Sequence, residues 1–306
     1  MEVSAKFIQP YTVTAANILA TNLADEPLYS AGANYAQGDI VRVDQSIYEY
    51  RGTNGTTHAS PTETGQTDWV FLGPMNKLRP FDLQKGVDQE SVILTQAENA
   101  DSITYTINGL SRISAVAFEN VEAQTIRLVV TDATLGEIYD ITYQMRDLAN
   151  YVNSWWDYLN LALVPEQAYR NTALNIPPSA TIEVTVSNPG GTAKVGASLM
   201  GYEQGLGSTM LRPSWSLNSY SFRQFDGFKR TLVRLNPGEA ISADVKLPLG
   251  AGYGVRQALK SVDGIASLWE FSQTNEGYTV FGVLESAVIT AETAQHEFLN
   301  IKIEGL

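Results

Sequence analysis

The sequence predicts an all-β protein, and three observations carry that prediction. Apolar and polar residues alternate over many short runs. Turn residues separate those runs at close intervals. Helical spacing is nearly absent. The clearest alternations are Asp39–Tyr50 (DIVRVDQSIYEY), Ser102–Gly109 (SITYTING), Thr125–Asp132, Glu137–Met145, Ala180–Asn188, Tyr278–Ser286 and Glu297–Leu306. The turn signals are Asn54-Gly55, Asn108-Gly109, Asn188-Pro189-Gly190-Gly191 and Asn236-Pro237-Gly238. Only Leu148–Leu163 and Gly254–Val262 have the spacing of a helix.

In chain order, residues 1–27 read as an N-terminal arm and residues 28–73 as a small aromatic β module. Residues 74–82 read as a linker, because Pro74 and Pro80 oppose regular structure. Residues 83–212 carry evenly spaced short strands, the pattern of a β-sandwich. Residues 213–306 read as a C-terminal β domain with one short helix. On this division the module is a spare surface unit, and a chain starting near Asp82 is expected to keep its fold.

Charge and composition exclude several function classes. The 306 residues carry a net charge of −13. Residues 1–212 hold 12 Lys/Arg against 23 Asp/Glu, and residues 213–306 hold 8 against 10. An acidic chain repels phosphate backbones, so no nucleic-acid partner is expected. The nearly neutral C-terminal domain suits anchoring, since interface cores are depleted of charge. There is no cysteine, which removes disulfides, thiolate metal sites and cysteine nucleophiles. No apolar run approaches the ~18 residues of a membrane span, so no membrane insertion is expected. The start, MEVSAKFIQPYTV, has no basic region followed by an apolar core. Export is therefore expected by lysis or within a particle.

Catalytic constellations are missing as well. His58 and His296 are the two histidines and fall in different predicted domains, and no G-x-S-x-G elbow exists. Two scattered histidines do not make a zinc site. Gly250-Ala251-Gly252-Tyr253-Gly254 lacks the Lys-Ser/Thr of a phosphate loop. No enzyme activity, cofactor or metal is expected.

Aromatic side chains supply the candidate binding residues. The spacing Tyr35-x-x-Gly38-Asp39-x-Val41, followed by Tyr48, Tyr50, Asn54, Pro61 and Trp69, resembles the chitin-binding-type modules of bacterial chitinases. That resemblance implies aromatics stacking on the apolar faces of sugar rings. The candidate carbohydrate-binding residues are Tyr35, Tyr48, Tyr50, Trp69 and Phe71. Tyr50 and Phe71 are expected on the surface; Tyr35, Tyr48 and Trp69 also serve as core in so small a module. His58 is expected to be solvated. Trp155, Trp156, Phe225, Phe228 and Trp269 are candidate interface residues. In Leu148–Leu163, Trp155, Tyr158 and Leu159 share one helical face.

Gly73–Asp82, Val195–Tyr202, Ser219–Thr231, Gly264–Phe271 and Ile301–Leu306 together resemble a group of tailed-bacteriophage virion proteins. The resemblance implies a non-enzymatic tail, baseplate or neck component located in the virion. Its implied partners are other virion proteins and further copies of the same chain. The alternative is an adhesin that contacts a host-surface glycan through the aromatic module.

Overall fold

The computed structural model describes residues 4–305 except 56–57, 83–95, 146–153, 161–165, 211–212, 220, 227–228, 234–237, 273–277 and 292–295. The chain is mainly β, as its alternation predicts. β1 spans Ser4–Pro10, β2 Ile18–Thr21, β3 Ile40–Val43, β4 Ser46–Tyr50 and β5 Trp69–Pro74. After a 3-10 turn at Arg79–Phe81 come β6 (Ala97–Ile107), β7 (Ala115–Glu122), β8 (Thr125–Asp132) and β9 (Gly136–Gln144). Helix α1 (Trp155–Asn160) precedes β10 (Ala168–Asn171) and the long β11 (Ala180–Thr209). Then follow β12 (Ser214–Asn218), β13 (Phe222–Asp226), β14 (Lys229–Val233), β15 (Gly238–Pro248) and helix α2 (Gly252–Ser261). β16 (Ser267–Glu270), β17 (Thr279–Ala291) and β18 (His296–Gly305) end the chain.

Two compact units result, and their boundary falls inside β11, between Leu199 and Met200. The predicted boundary at 212/213 is displaced because β11 continues as one strand through the division, buried without a break from Val195 to Gly201.

One unit joins the first eleven residues to the chain from Met200 onward. Its strands pair antiparallel in the cycle β11-β1-β16-β17-β18-β15. The cycle returns to β11 through Ser208↔Lys246 and Thr209↔Val245. A sheet closed in this way is a six-stranded barrel without free edges along the cycle. At the seam Gly207 has φ +142°, and a Cβ there would lie 2.5 Å from the Lys246 carbonyl oxygen. Only glycine permits that approach.

The barrel interior holds Phe7, Leu206, Ile241, Val245, Trp269, Phe271, Leu299, Ile301 and Ile303. Helix α2 adds Val255 and Leu259 to the same core, with Val262 just after it. The helix was expected at Gly254–Val262 and stands there. Its N-terminal Gly252 N–H donates to Glu297 Oε2 at 2.8 Å, a carboxylate where the helix dipole favours one.

β1 therefore corrects the reading of residues 1–27 as an arm. Phe7 pairs directly with Trp269, and the rings stack at 4.8 Å. Four residues of alternation closed by Pro10 were too short to read as a barrel strand.

The other unit comprises Thr12–Asp82 and Gly86–Leu199. The first part of β11 is central, pairing β8 on one side and β6 on the other, with β9 beyond β8 and β2 beyond β6. Ile126, Leu128 and Val130 of β8 and Ile182, Val184 and Val186 of β11 are buried, while the residues between them face outward. Strand β7 opens on the apolar run Ala115–Phe118, is buried on both faces from Ala115 to Glu119, and pairs β11 and β10. The Asn188–Gly191 turn signal marks a four-residue excursion within the β6–β11 ladder and not a strand end. Gly190 N–H donates to Asp101 Oδ1 at 2.8 Å and holds it in place.

The predicted linker is packed structure. Met75, Leu78 and Phe81 are buried. Phe81 meets Tyr105 edge-on at 5.1 Å, and Arg79 pairs with Glu26 at 3.3 Å. Asn76 exchanges hydrogen bonds with the Glu98 backbone. The aromatic module thus belongs to the same compact unit as β6–β11, and a chain cut at Asp82 would lose β1, β2 and these contacts.

Three outcomes follow for unfolding in urea. Phe7→Ala should cost about 3–5 kcal/mol, the range for a fully buried phenylalanine, whereas Leu19→Ala, on a 55% exposed side chain, should cost under about 0.5 kcal/mol. The Tyr105 hydroxyl is buried without a hydrogen-bond partner, so Tyr105→Phe should stabilise by about 1 kcal/mol.

Candidate functional site

The module is a meander, β3-β4-β5. Asp44, at φ 54°, makes the tight β3–β4 turn. The Gly38-Asp39 turn locks onto β4: Gly38 N–H donates to the Tyr50 carbonyl, and Tyr50 N–H donates to the Asp39 carbonyl, both at 2.8 Å. The register sets Val41 opposite Tyr48 opposite Phe71, with Tyr50 opposite Trp69 in the next row. Residues two apart share a face. All five therefore lie on one side of the sheet. The opposite side puts Ile47 against Met75, Leu78, Ala15 and Ile18.

The aromatic side is mostly core. Tyr35, Tyr50 and Trp69 are 8%, 1% and 3% exposed. Their rings pack together, with Tyr35–Trp69 at 5.1 Å and Tyr50–Trp69 at 4.8 Å. Tyr29 joins the cluster with centroids 5.9 Å from Tyr35 and 5.8 Å from Trp69. Each buried ring directs its polar tip into a loop. Tyr50 Oη donates to the Thr53 carbonyl at 2.7 Å, and Trp69 Nε1 donates to the Ala59 carbonyl at 3.0 Å. Tyr35 Oη donates to the Ser30 carbonyl and accepts from its N–H. Gln66 clamps both backbone groups of Trp69.

These positions correct the assignment of Tyr35, Tyr50 and Trp69 as sugar-stacking residues, and in particular the surface placement of Tyr50. A module with so few aliphatic residues fills its core with the aromatics themselves. His58 is likewise not simply solvated. Its ring lies 4.9 Å from Tyr35, edge-on. Nε2 is 3.1 Å from the Ala33 carbonyl, which can only accept, so Nε2 carries the proton. Nδ1 faces the Tyr29 hydroxyl at 3.4 Å. Burial first, then Tyr35 and Glu63, push that hydroxyl's pKa up.

Of the five candidates, Tyr48 is half-buried and Phe71 is exposed, with their rings 5.7 Å apart. A register shift between Ile47 and Tyr48 inserts Leu72 as an extra residue. Val70, Phe71 and Leu72 consequently emerge together on β5, an outer strand of the meander. The surface on offer is one aromatic ring flanked by aliphatic groups.

The interface candidates divide. Trp155 and Trp156 on α1 are strongly exposed, as is Leu159; the Tyr158 side chain and the rest of the predicted helix Leu148–Leu163 beyond α1 and Ser154 lie outside the described residues. Trp269 is 0% exposed. It donates from Nε1 to the Gly282 carbonyl at 3.1 Å inside the barrel. Its assignment to an interface is corrected, because β16 sits between β1 and β17 with Trp269 turned inward. Phe225 lies on β13 with its side chain outside the described residues, and Phe228 lies outside them altogether.

Trp215 and Leu217 were missed. Trp215 is 50% and Leu217 56% exposed on β12. Trp215 pairs with the buried Ile241, so the pair lies on the face that elsewhere lines the barrel. The alternation SWSLN and the absence of charge from Pro213 to Phe222 were the available signals.

Among the described residues no group of three or more His, Asp or Glu side chains could hold a metal ion, and no helix is long and apolar enough to cross a membrane. No protein-family model, curated protein or solved structure matches the chain. The functional reading rests on the chain's own geometry.

Trp69→Ala should destabilise the unit by about 3–5 kcal/mol, while Phe71→Ala should change stability by less than about 1 kcal/mol. Thermal melts followed by tryptophan fluorescence separate the two.

Proposed function

We propose that the chain is a non-enzymatic structural component of a bacteriophage particle, in its tail, baseplate or neck. It assembles as a ring or cluster through the barrel unit. The observation that carries the reading is β12. The barrel cycle is closed, so its own strands offer no edge along it. β12 leaves that cycle beside β15 and exposes Trp215 and Leu217; the strand itself is uncharged, and Glu239 of β15, opposite Leu217, accepts from the Trp215 Nε1–H at 2.9 Å. Surfaces that assemble by complementarity have this character, with large apolar side chains and little charge at the centre.

A second reading, weak recognition of a host glycan, draws on Phe71 beside Tyr48. It is compatible with the first, since a multimer multiplies weak contacts. Burial of Tyr35, Tyr50 and Trp69 leaves it one exposed ring, which favours the assembly reading.

Sedimentation velocity on the full chain should show a discrete oligomer at micromolar concentration, and proteomics of purified particles from the same lysate should contain the chain. A monomer at every concentration, together with absence from particles, would sink the proposal. For the glycan reading, an array at millimolar ligand should show binding that Phe71→Ala removes; a blank array rejects it.

A further inference from the structure

The outer strands of the described sheets are guarded in two ways. β2 and β5 carry no charge, but register shifts interrupt the pairing of both. β3, β9, β10, β13 and β14 carry charge, as in Arg42, Glu137, Asp140, Arg170, Arg223 and Lys229. Bulges and charges keep outer strands from pairing with other chains. β12 has neither. It pairs with β15 from Ser214↔Ser242 to Asn218↔Gly238 without a shift, and among the described residues its other edge pairs with nothing. Ser214, Trp215, Ser216 and Leu217 are all exposed.

The strand SWSLN is also self-complementary about Ser216. Antiparallel pairing of two copies centred there sets Trp215 of each opposite Leu217 of the other, and Ser214 opposite Asn218. Residues directly opposite share a face and pack together. Within each copy Trp215 pairs with Ile241 and Leu217 with Glu239. Two rows result, each running Ile241, Trp215, Leu217, Glu239 across four strands. The tryptophans and leucines meet at the centre, and the two carboxylates stand at opposite outer ends. An apolar middle with a polar rim is the anatomy of an interface. A slip of one residue would set both apolar side chains opposite serine or asparagine, so the apolar pairing fixes the register. The Trp215 Nε1–H donates to Glu239 Oε2 at 2.9 Å, which holds the indole on this face.

We propose that β12 pairs antiparallel with β12 of a second copy of this chain, centred on Ser216. The inference rests on the assembly reading and names its contact. Self-complementarity selects the occupant. A strand added at this edge must place an apolar side chain opposite Trp215 and another opposite Leu217, and no charge between them; β12 itself meets all three conditions. The contact closes at two copies, so a ring or cluster is built of such pairs. The strand is uncharged while each chain carries −13, so salt screens repulsion between copies and leaves the contact intact.

The chain lacks cysteine, so single cysteines report the register. Across the two-fold axis the Ser216 Cα atoms lie about 4.5–5.5 Å apart, within disulfide reach, whereas the two Ser214 lie four residues apart along the ladder, about 14 Å, and beyond it. On the full chain, Ser216→Cys oxidised with diamide should give a covalent dimer on non-reducing gels, and Ser214→Cys should not. In sedimentation equilibrium, Ser216→Lys and Ser216→Glu put like charges on the axis and should each raise Kd about tenfold or more, while their equimolar mixture should restore association. Wild-type Kd should hold or fall between about 0.05 M and about 0.5 M NaCl. Matching far-UV circular dichroism shows that folding is intact. A wild-type oligomer in which Ser216→Cys crosslinks no better than Ser214→Cys, or in which the charged variants associate as wild type, overturns the pairing while assembly stands. Weakening by both charged variants without rescue in the mixture assigns β12 another partner and overturns it as well. A wild type that is monomeric at every concentration also overturns the pairing, and the particle reading is then decided by whether purified particles contain the chain.

Discussion

The barrel unit depends on one long-range constraint: β1, at Ser4–Pro10, must enter between the end of β11, at Gly201–Ser208, and β16, at Ser267–Glu270. β1 pairs with β11 through Gly201–Ser208 and with β16 through Leu268–Glu270. Phe7 against Trp269 is where that insertion is felt, since both rings are removed from water and stacked. Around it, Lys6 bridges Glu203 at 3.0 Å and Glu270 at 3.4 Å, tying the inserted strand to both neighbours. Without β1 the cycle opens, and β11 and β16 each acquire a bare edge. Such closure carries a large loop entropy, so the unit must fold late in relation to its local hairpins.

The aromatic module meets a different constraint. It has few residues and long loops. Aliphatic side chains would fill its core but could not hold the loop 51–68. Tyrosine and tryptophan do both, because one end is apolar and the other donates a hydrogen bond. Tyr50 reaches Thr53, Trp69 reaches Ala59, and His58 comes back from the loop onto Ala33 and the Tyr35 ring. The residues that gave the module its likeness to sugar-binding folds are explained by this internal work. Phe71 alone lacks such an internal role and stays exposed.

Much of this was legible in the sequence. The alternation of DIVRVDQSIYEY, TIRLVVTD and EFLNIKIEGL became β3–β4, β8 and β18, because period-two burial is written residue by residue. The helix Gly252–Ser261, expected at Gly254–Val262, was legible from its 3.6-residue spacing instead. The unit boundary was not. β11 runs as one strand of 30 residues and is buried without a break from Val195 to Gly201, so no turn or exposed gap marks the change of core at Leu199. The role of Ser4–Pro10 was hidden because it is fixed by partners far along the chain. Tyr48 and Tyr50 are two residues apart and share a face, so the expectation that Tyr50 stood apart from the core failed on parity. Trp269 and Trp215 show the remaining gap. Each sits on a short alternating strand, and only the register, opposite Phe7 in one case and at the margin of the barrel in the other, separates a core ring from an exposed one.

Edge management links the barrel to its surface chemistry. Exposed strand edges invite pairing with other chains, and proteins blunt them with charge or by closure. Here closure protects the barrel strands, and β12, which leaves the cycle, carries no charge to blunt it. Its root exposes Trp215 and Leu217, and cations follow at once in β13 and β14. An uncharged strand alone would invite indiscriminate pairing. Closure and an outlying strand thus stand side by side in one unit: the cycle removes edges from six strands, and β12, paired on one side with β15, keeps one among the described residues.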